Sequence, residues 1–238
     1  MQRTRTPGLR STLTLMAMLG VLLSMSGCIK MKDVLQINAD GSGYWDMTVV
    51  LSPKTVQMAK QGQGKSNLPM TKEEAEAKIA GVDGVKLEAY SVVEDAETGQ
   101  TIKAKYSFTS LAALATSPAA GEGFGWEFKQ DGDELVARLP NKGAGPDGEM
   151  DDQQFMMMKQ MMAGLDIDRT LIMPNKVTKA QDVEKLGPKK VKVQMKITDV
   201  STKDDIKKMS AIKPEIRCSM KGVKIDLPEV DAKEDAGM

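Results

Sequence analysis

Residues 29–51 read IKMKDVLQINADGSGYWDMTVVL, and this stretch decides the fold. Ile29, Met31, Leu35 and Ile37 share one phase, with Lys30, Lys32, Gln36 and Asn38 mostly in the other. Successive side chains of a strand point to opposite sides of the pleat, so alternation marks a strand with one buried face. Asp40-Gly41-Ser42-Gly43 supplies the glycines that a tight reversal requires. Trp45, Met47, Val49 and Leu51 then alternate with Tyr44, Asp46 and Thr48. The stretch predicts a β-hairpin whose two apolar rows bury one face.

The same periods continue along the chain. Ser52-Pro53 is a helix start, with the cap followed by proline at the first helical position, and the helix reaches about Lys60. Residues 61–69 (QGQGKSNLP) are polar and glycine-rich and read as a mobile loop. Thr71-Lys72-Glu73-Glu74 has capping-box spacing and opens a helix to about Ala80. A strand burying Val85, Leu87, Ala89 and Val93 turns at Glu97-Thr98-Gly99-Gln100 into one burying Ile102, Ala104, Tyr106 and Phe108. Ser110 caps a short apolar helix over Leu111 to Ala115.

A second hairpin pairs Phe124 to Lys129 with Glu134 to Leu139 across Asp131-Gly132-Asp133. Residues 140–149 form another mobile loop. Asp151 and Asp152 begin a helix reaching Ala163, where acids complement the dipole. Leu165 to Met173 is strand-like and ends at Pro174-Asn175-Lys176. Val191, Val193, Met195 and Ile197 mark a further strand, and a helix spans about Thr202 to Met209. Ile216, Cys218 and Met220 mark the last strand, and residues 228–238 are a frayed acidic tail. The expectation is an α+β fold: a mostly antiparallel sheet of about nine strands in hairpins, with four or five short helices. It forms a single domain over residues 28–227.

Ahead of the hairpin stands a leader. Arg3, Arg5 and Arg10 precede the apolar run Leu13 to Leu23 (LTLMAMLGVLL), and small residues then lead to Cys28. The run has 11 residues. At about 1.5 Å per residue it covers roughly half a bilayer core, so it reads as an export signal and not a transmembrane helix. Met25-Ser26-Gly27-Cys28 resembles the lipobox of bacterial lipoproteins, with Met25 where leucine is usual. That resemblance implies that residues 1–27 are removed by signal peptidase II and that Cys28 carries acyl chains. Ile29 follows the cysteine where an aspartate commonly signals inner-membrane retention. By the same resemblance the protein sits in the outer membrane and faces the periplasm.

Composition bounds the chemistry. The chain has no histidine, which removes the commonest general base and the commonest zinc ligand. No acid, base and nucleophile set can be named, so a non-enzymatic protein without cofactor is expected. Beyond Cys28 the only cysteine is Cys218, whose alternating neighbours place it on a buried strand face. Arg3, Arg5 and Arg10 fall in the leader, leaving 30 basic residues against 33 acidic ones, a net of −3. No bias toward nucleic acid follows.

Two patterns admit a binding role. Phe155 to Met162 (FMMMKQMM) places Met157, Met158, Met161 and Met162 three or four apart, so on a helix these sulfurs share a face. Soft thioethers select Cu(I), but 15 methionines follow the leader, and methionine also fills irregular cores and adaptable surfaces. Packing is the leading expectation, a partner surface the second and a copper site the third. Lys103 and Lys105 point outward on one strand and Lys190, Lys192 and Lys196 on another. Such rows form a solvated face or meet anionic headgroups.

Cys28, the strand after it, Asp40-Gly41-Ser42-Gly43 and the returning strand resemble the opening of mycobacterial LppM-type lipoproteins. Met173-Pro174-Asn175-Lys176-Val177 resembles that group's strand-end Pro-Gly-x-Val, with Asn175 replacing glycine. The resemblance implies an α+β domain held at a membrane, with no catalytic residue and with glycolipid binding as one role. The leading expectation is a binding or scaffold module at the cell envelope, attached through Cys28, whose partner is an envelope lipid or another envelope protein. A lipid carrier and a soft-metal binder are the alternatives.

Overall fold

The computed structural model describes residues 29–60, 68–119, 125–139, 151–153, 155, 156, 159, 164–196 and 201–227. β1 (Ile29–Ile37) and β2 (Gly43–Leu51) pair antiparallel along their whole length, with Ile29 opposite Leu51 and Ile37 opposite Gly43. Asp40 closes the turn by accepting hydrogen bonds from the Ser42 amide at 3.0 Å and hydroxyl at 2.6 Å. Gly43 has no room for a side chain, since a Cβ there would lie 2.0 Å from the Gln36 carbonyl oxygen.

β3 (Val85–Asp95) and β4 (Gly99–Phe108) extend the hairpin on the β2 side. β7 (Asp166–Ile172), β10 (Lys190–Lys196) and the two-residue β9 (Glu184–Lys185) extend it on the β1 side. The resulting sheet has seven strands in the order β3-β4-β2-β1-β7-β10-β9. A second sheet of four strands has the order β5-β6-β11-β8, formed by Glu127–Asp131, Glu134–Arg138, Glu215–Ser219 and Val177–Gln181 respectively. Both sheets contribute to one apolar core. Leu35, Trp45, Ile102, Tyr106 and Leu171 come from the first, and Phe128, Leu135, Ile216 and Cys218 from the second. Trp45 stacks on Tyr106 at 5.7 Å between ring centroids.

Four helices flank the sheets among the described residues: α1 (Pro53–Lys60), α2 (Lys72–Ala77), α3 (Leu111–Thr116) and α4 (Lys203–Ser210). Their starts use the caps expected of them. Thr71 accepts from the Glu74 amide, and Ser110 accepts from the Ala113 amide. The Glu74 carboxylate reaches one residue further back than a capping box requires, taking the Met70 amide at 2.6 Å. None of the helices among the described residues is long and apolar enough to cross a membrane.

The α+β class, the hairpins and the mostly antiparallel pairing stand, and two expectations are corrected. Among the described residues eleven strands form two sheets, where about nine in one sheet were expected. β8 and β9 escape periodicity because β8 buries only Val177 and β9 has two residues. Pairing is mostly antiparallel, as expected, and among the described strands β1 and β7 form the one parallel pair, at the sheet centre. Finally, Val93 is 62% exposed and Ala89 is also on the surface. A bulge between Leu87 and Ala89 shifts the register, so Tyr90 and Val92 take the inward phase instead.

Gly99 gives a direct test of the β3–β4 turn. Its φ is +95°, and a Cβ would lie 2.0 Å from the Leu51 carbonyl oxygen, whereas Gly132 has φ +58° and open space around it. Gly99→Ala should lower unfolding free energy by about 3 kcal/mol or more, and Gly132→Ala by only about 1 kcal/mol. Urea unfolding of the two variants measures the difference.

Candidate functional site

Register brings α1 and the β3–β4 turn to one end of the seven-stranded sheet. Ile29 lies opposite Leu51, Leu51 opposite Gln100, and Gln100 opposite Glu94. At about 4.8 Å per strand, Gln100 is about 10 Å across the sheet from Ile29. Between α1 and the turn opens a cleft of about 530 Å³. Pro53 and Val56 line it from α1, and Ala96 and Gly99 from the turn. The Lys60 ammonium meets the Glu94 carboxylate at 3.3 Å on its rim.

Gln100 is the buried polar group of this cleft, at 4% exposure. Its amide nitrogen donates to Glu94 at 3.4 Å. Among the described residues its carbonyl oxygen accepts no hydrogen bond. A buried acceptor left without a donor costs about 1–3 kcal/mol. Gln57, Lys60, Glu94 and Asp95 line the recess beside Gln100, so it joins an apolar wall of Pro53, Val56 and Ala96 to a polar and charged side, an arrangement suited to an amphiphilic molecule.

A second polar feature lies deeper, between the sheets. Asp33 shares the inward phase of β1 with Leu35 and Ile37, and it is 1% exposed. Arg169 of β7 is its partner in the parallel register, and its Nε lies 3.7 Å from the Asp33 carboxylate. The guanidinium also reaches the Met31 sulfur at 3.9 Å. Burial pushes the Asp33 carboxyl up from its ordinary 3.8 to about 6; Arg169 and a hydrogen bond from Trp45 oppose the rise, and Asp168 adds to it. Asp168 points to the other face and pairs with Lys192 at 3.0 Å.

The residues marked by the sequence fall as follows. Cys28 lies outside the described residues, but β1 begins at the very next one. Met157, Met158, Met161 and Met162 also lie outside them, as do the loop over residues 61–67, that over 140–149 and the tail over 228–238. Met156 is 63% exposed. Cys218 is a fully buried free thiol, as expected, and burial pushes its pKa up. No group of His, Cys, Asp or Glu among the described residues is arranged to hold a metal. On the four-stranded sheet Glu215 sits among Arg217, Arg138 and Lys179, and hydrogen bonds from Arg217 and then Arg138 hold its carboxyl down at about 2. Those pairs lie on the open face of a sheet and hold strands together.

Sequence reading missed Gln100, Asp33 and Arg169. Two of these had a signal: Asp33 is a charge in the inward phase of one strand, and Arg169 lies between Ile167 and Leu171 in another.

No protein-family model matches the chain, and no curated protein matches it. Among solved structures, the folded domain of LppM from Mycobacterium tuberculosis, determined by NMR, aligns at 14% identity with a TM-score of 0.44. The alignment covers 82% of this chain and 92% of that one.

The elevated Asp33 carboxyl predicts a pH dependence with a definite sign. The folded state holds this proton more tightly than the unfolded state, so its stabilisation is complete below 3.8 and lost as pH rises through about 6. The shift corresponds to roughly 3 kcal/mol in all. Between pH 4.5 and 6.5 the wild-type chain should lose about 2 kcal/mol more than Asp33→Asn, a difference measured by urea unfolding across that range.

Proposed function

We propose that this chain is a non-enzymatic bacterial lipoprotein, held at its membrane through acyl chains on Cys28, whose domain binds a lipid or glycolipid in the cleft beside α1. The observation that carries this reading is the shared sheet end. Ile29, which follows the acyl-bearing cysteine, is in register with Leu51 and Gln100, which in turn borders the cleft. A recess of about 530 Å³ is within the range of small-molecule sites, and Pro53, Val56 and Ala96 give it an apolar wall that suits a hydrocarbon chain. Gln57 and the Lys60–Glu94 pair supply polar contacts for a headgroup or its linkage. Placement in the outer membrane, facing the periplasm, follows from Ile29 in the position after the cysteine.

β1 leaves almost no linker. A flexible tether of n residues reaches about 5–6 Å times the square root of n, and here structure starts one residue after the anchor. The protein therefore works within a domain's breadth of its own leaflet, handling lipid there and not ferrying it across the periplasm.

Two experiments test this. Acylated protein purified from membranes should yield a bound lipid by solvent extraction and mass spectrometry. Ala96→Trp, at an exposed turn position where a large ring fills the cleft, should reduce that lipid about tenfold, equivalent to about 1.4 kcal/mol. Recovery of a protein partner without lipid would make the domain a scaffold, and stoichiometric copper would move the site to the methionine segment. Separately, Cys28→Ala exported with a cleavable signal should fold with unchanged urea midpoint and move from the membrane fraction to the soluble fraction. Continued membrane retention of that variant would sink the anchor.

A further inference from the structure

The outer face of the seven-stranded sheet carries a charge opposite in sign to the mature chain. On β1 it presents Lys30 and Lys32, on β4 Lys103 and Lys105, and on β10 Lys190, Lys192 and Lys196. Its acids on β1, β2, β4, β7 and β10 are Asp46, Asp166 and Asp168. With Lys86, Glu88 and Asp95 on β3 and Glu184 on β9 included, eight cations face six anions across the sheet, a net of +2, whereas the mature chain is at −3. Apart from Thr170, the outward residues of these five strands are exposed or half-buried.

Two of the lysines are committed within the protein. Lys105 lies over the Tyr44 ring at 4.7 Å, and Lys192 pairs with Asp168 at 3.0 Å. Lys30, Lys32, Lys103, Lys190 and Lys196 are exposed and make no ion pair among the described residues, and Lys190 stands at the far end of β10, opposite Ile172.

Register arranges the other four, Lys30, Lys32, Lys103 and Lys196, around the start of β1. Lys32 lies opposite Thr48, which lies opposite Lys103 two strands to one side. Lys30 lies opposite Asp166, which lies opposite Lys196 two strands to the other side. The band spans four strand spacings, about 19 Å, with β1 in its middle. All four lie within the first few residues from the sheet end at which Ile29 stands, within about 10 Å along the strand. A band of unpaired ammonium groups centred on the point of attachment complements a negatively charged surface at that point.

We infer that the outer face of the seven-stranded sheet lies on the membrane, with Lys30, Lys32, Lys103 and Lys196 binding the anionic headgroups of the leaflet that holds the anchor. The inference rests on the Cys28 attachment proposed above for its geometry, and it assigns a second contact that attachment alone does not require. The lysines supply charge attraction over a Debye length, and the anchor keeps them inside that distance. The single acyl attachment would leave the domain free to rotate. The lysine band fixes which face is down.

The test uses acylated protein reconstituted into vesicles of phosphatidylcholine alone, or of phosphatidylcholine with about one-third phosphatidylglycerol. Exposed amines are labelled with a water-soluble acylating reagent and read by peptide mass spectrometry. On anionic vesicles, labelling of Lys30, Lys32, Lys103 and Lys196 should fall about fivefold relative to neutral ones. Lys72 on α2 and Lys208 on α4 should be unchanged. The protection should vanish near 1 M salt, where the Debye length is about 3 Å. In the triple variant Lys30→Glu, Lys32→Glu, Lys103→Glu, all at exposed positions, Lys196 should lose its protection. Association with both vesicle types but equal labelling on the two would overturn the inference and leave the anchor intact. Association with anionic vesicles alone, with the lysines protected, would uphold the lysine face and remove the anchor. Association with neither would overturn both.

Discussion

The structure depends on a single strand held on both edges. β1 is antiparallel to β2 along one side and parallel to β7 along the other, with all nine of its residues paired to β2. A strand so placed cannot slip, because a shift by one residue would turn Leu35 and Ile37 outward and Lys30 and Lys32 into the core. Every other position in the seven-stranded sheet is counted from it. The register that places Ile29 against Leu51 also places Gln100 at the cleft and Lys103 on the outer face. An acyl group on Cys28, as proposed, would therefore be attached directly before a strand paired on both edges.

Against that background the Asp33–Arg169 pair is costly. Both side chains are nearly excluded from water, and attraction between buried ions rarely exceeds the cost of drying them. The raised Asp33 carboxyl records that imbalance directly, since desolvation outweighs the neighbouring cation. What the pair does supply is specificity of pairing. β1 and β7 are far apart in the chain and meet in parallel, so no turn sets their register. An inward acid opposite an inward guanidinium penalises any slipped alignment, which would leave each charge buried without the other. Pairing through charge thus does at the centre of the sheet what the Asp40–Gly43 turn does at its end.

This division explains how much was legible in the sequence. The β1–β2 hairpin, α1 and the Ser110 cap follow from local spacing, because their determinants are neighbours in the chain. The β1–β7 contact and the second sheet arise from pairings such as β11 with β6, whose residues are some 80 positions apart. Periodicity marks a strand without naming its partner, so the two-sheet division had no local signal. The β3 error has the same origin. Its apolar residues alternate through Leu87, and one extra residue at the bulge then reverses the phase, which makes Val93 an outward residue. The candidate cleft was illegible for a related reason: Val56 and Ala96 meet there only because the register brings α1 and the β3–β4 turn to one sheet end.

The cleft and the lysine band together constrain what the domain can do at a membrane. β4 carries both, with Gln100 bordering the recess and Lys103 on the outer face three residues along. The distance from the start of β1 to Gln100 is about 10 Å, equal to the half-width of the lysine band. Seated on that band, the protein would hold the cleft over headgroups within its own footprint. An acyl chain then needs to rise only on the order of 10 Å to enter, and its polar end stays among the headgroups and the Lys60–Glu94 rim. A carrier that shuttles between membranes requires the opposite design, with a long tether and a closed cavity. With the proposed anchor on Cys28, the strand that starts at Ile29 and the open recess would both favour capture of lipid in the anchoring leaflet itself.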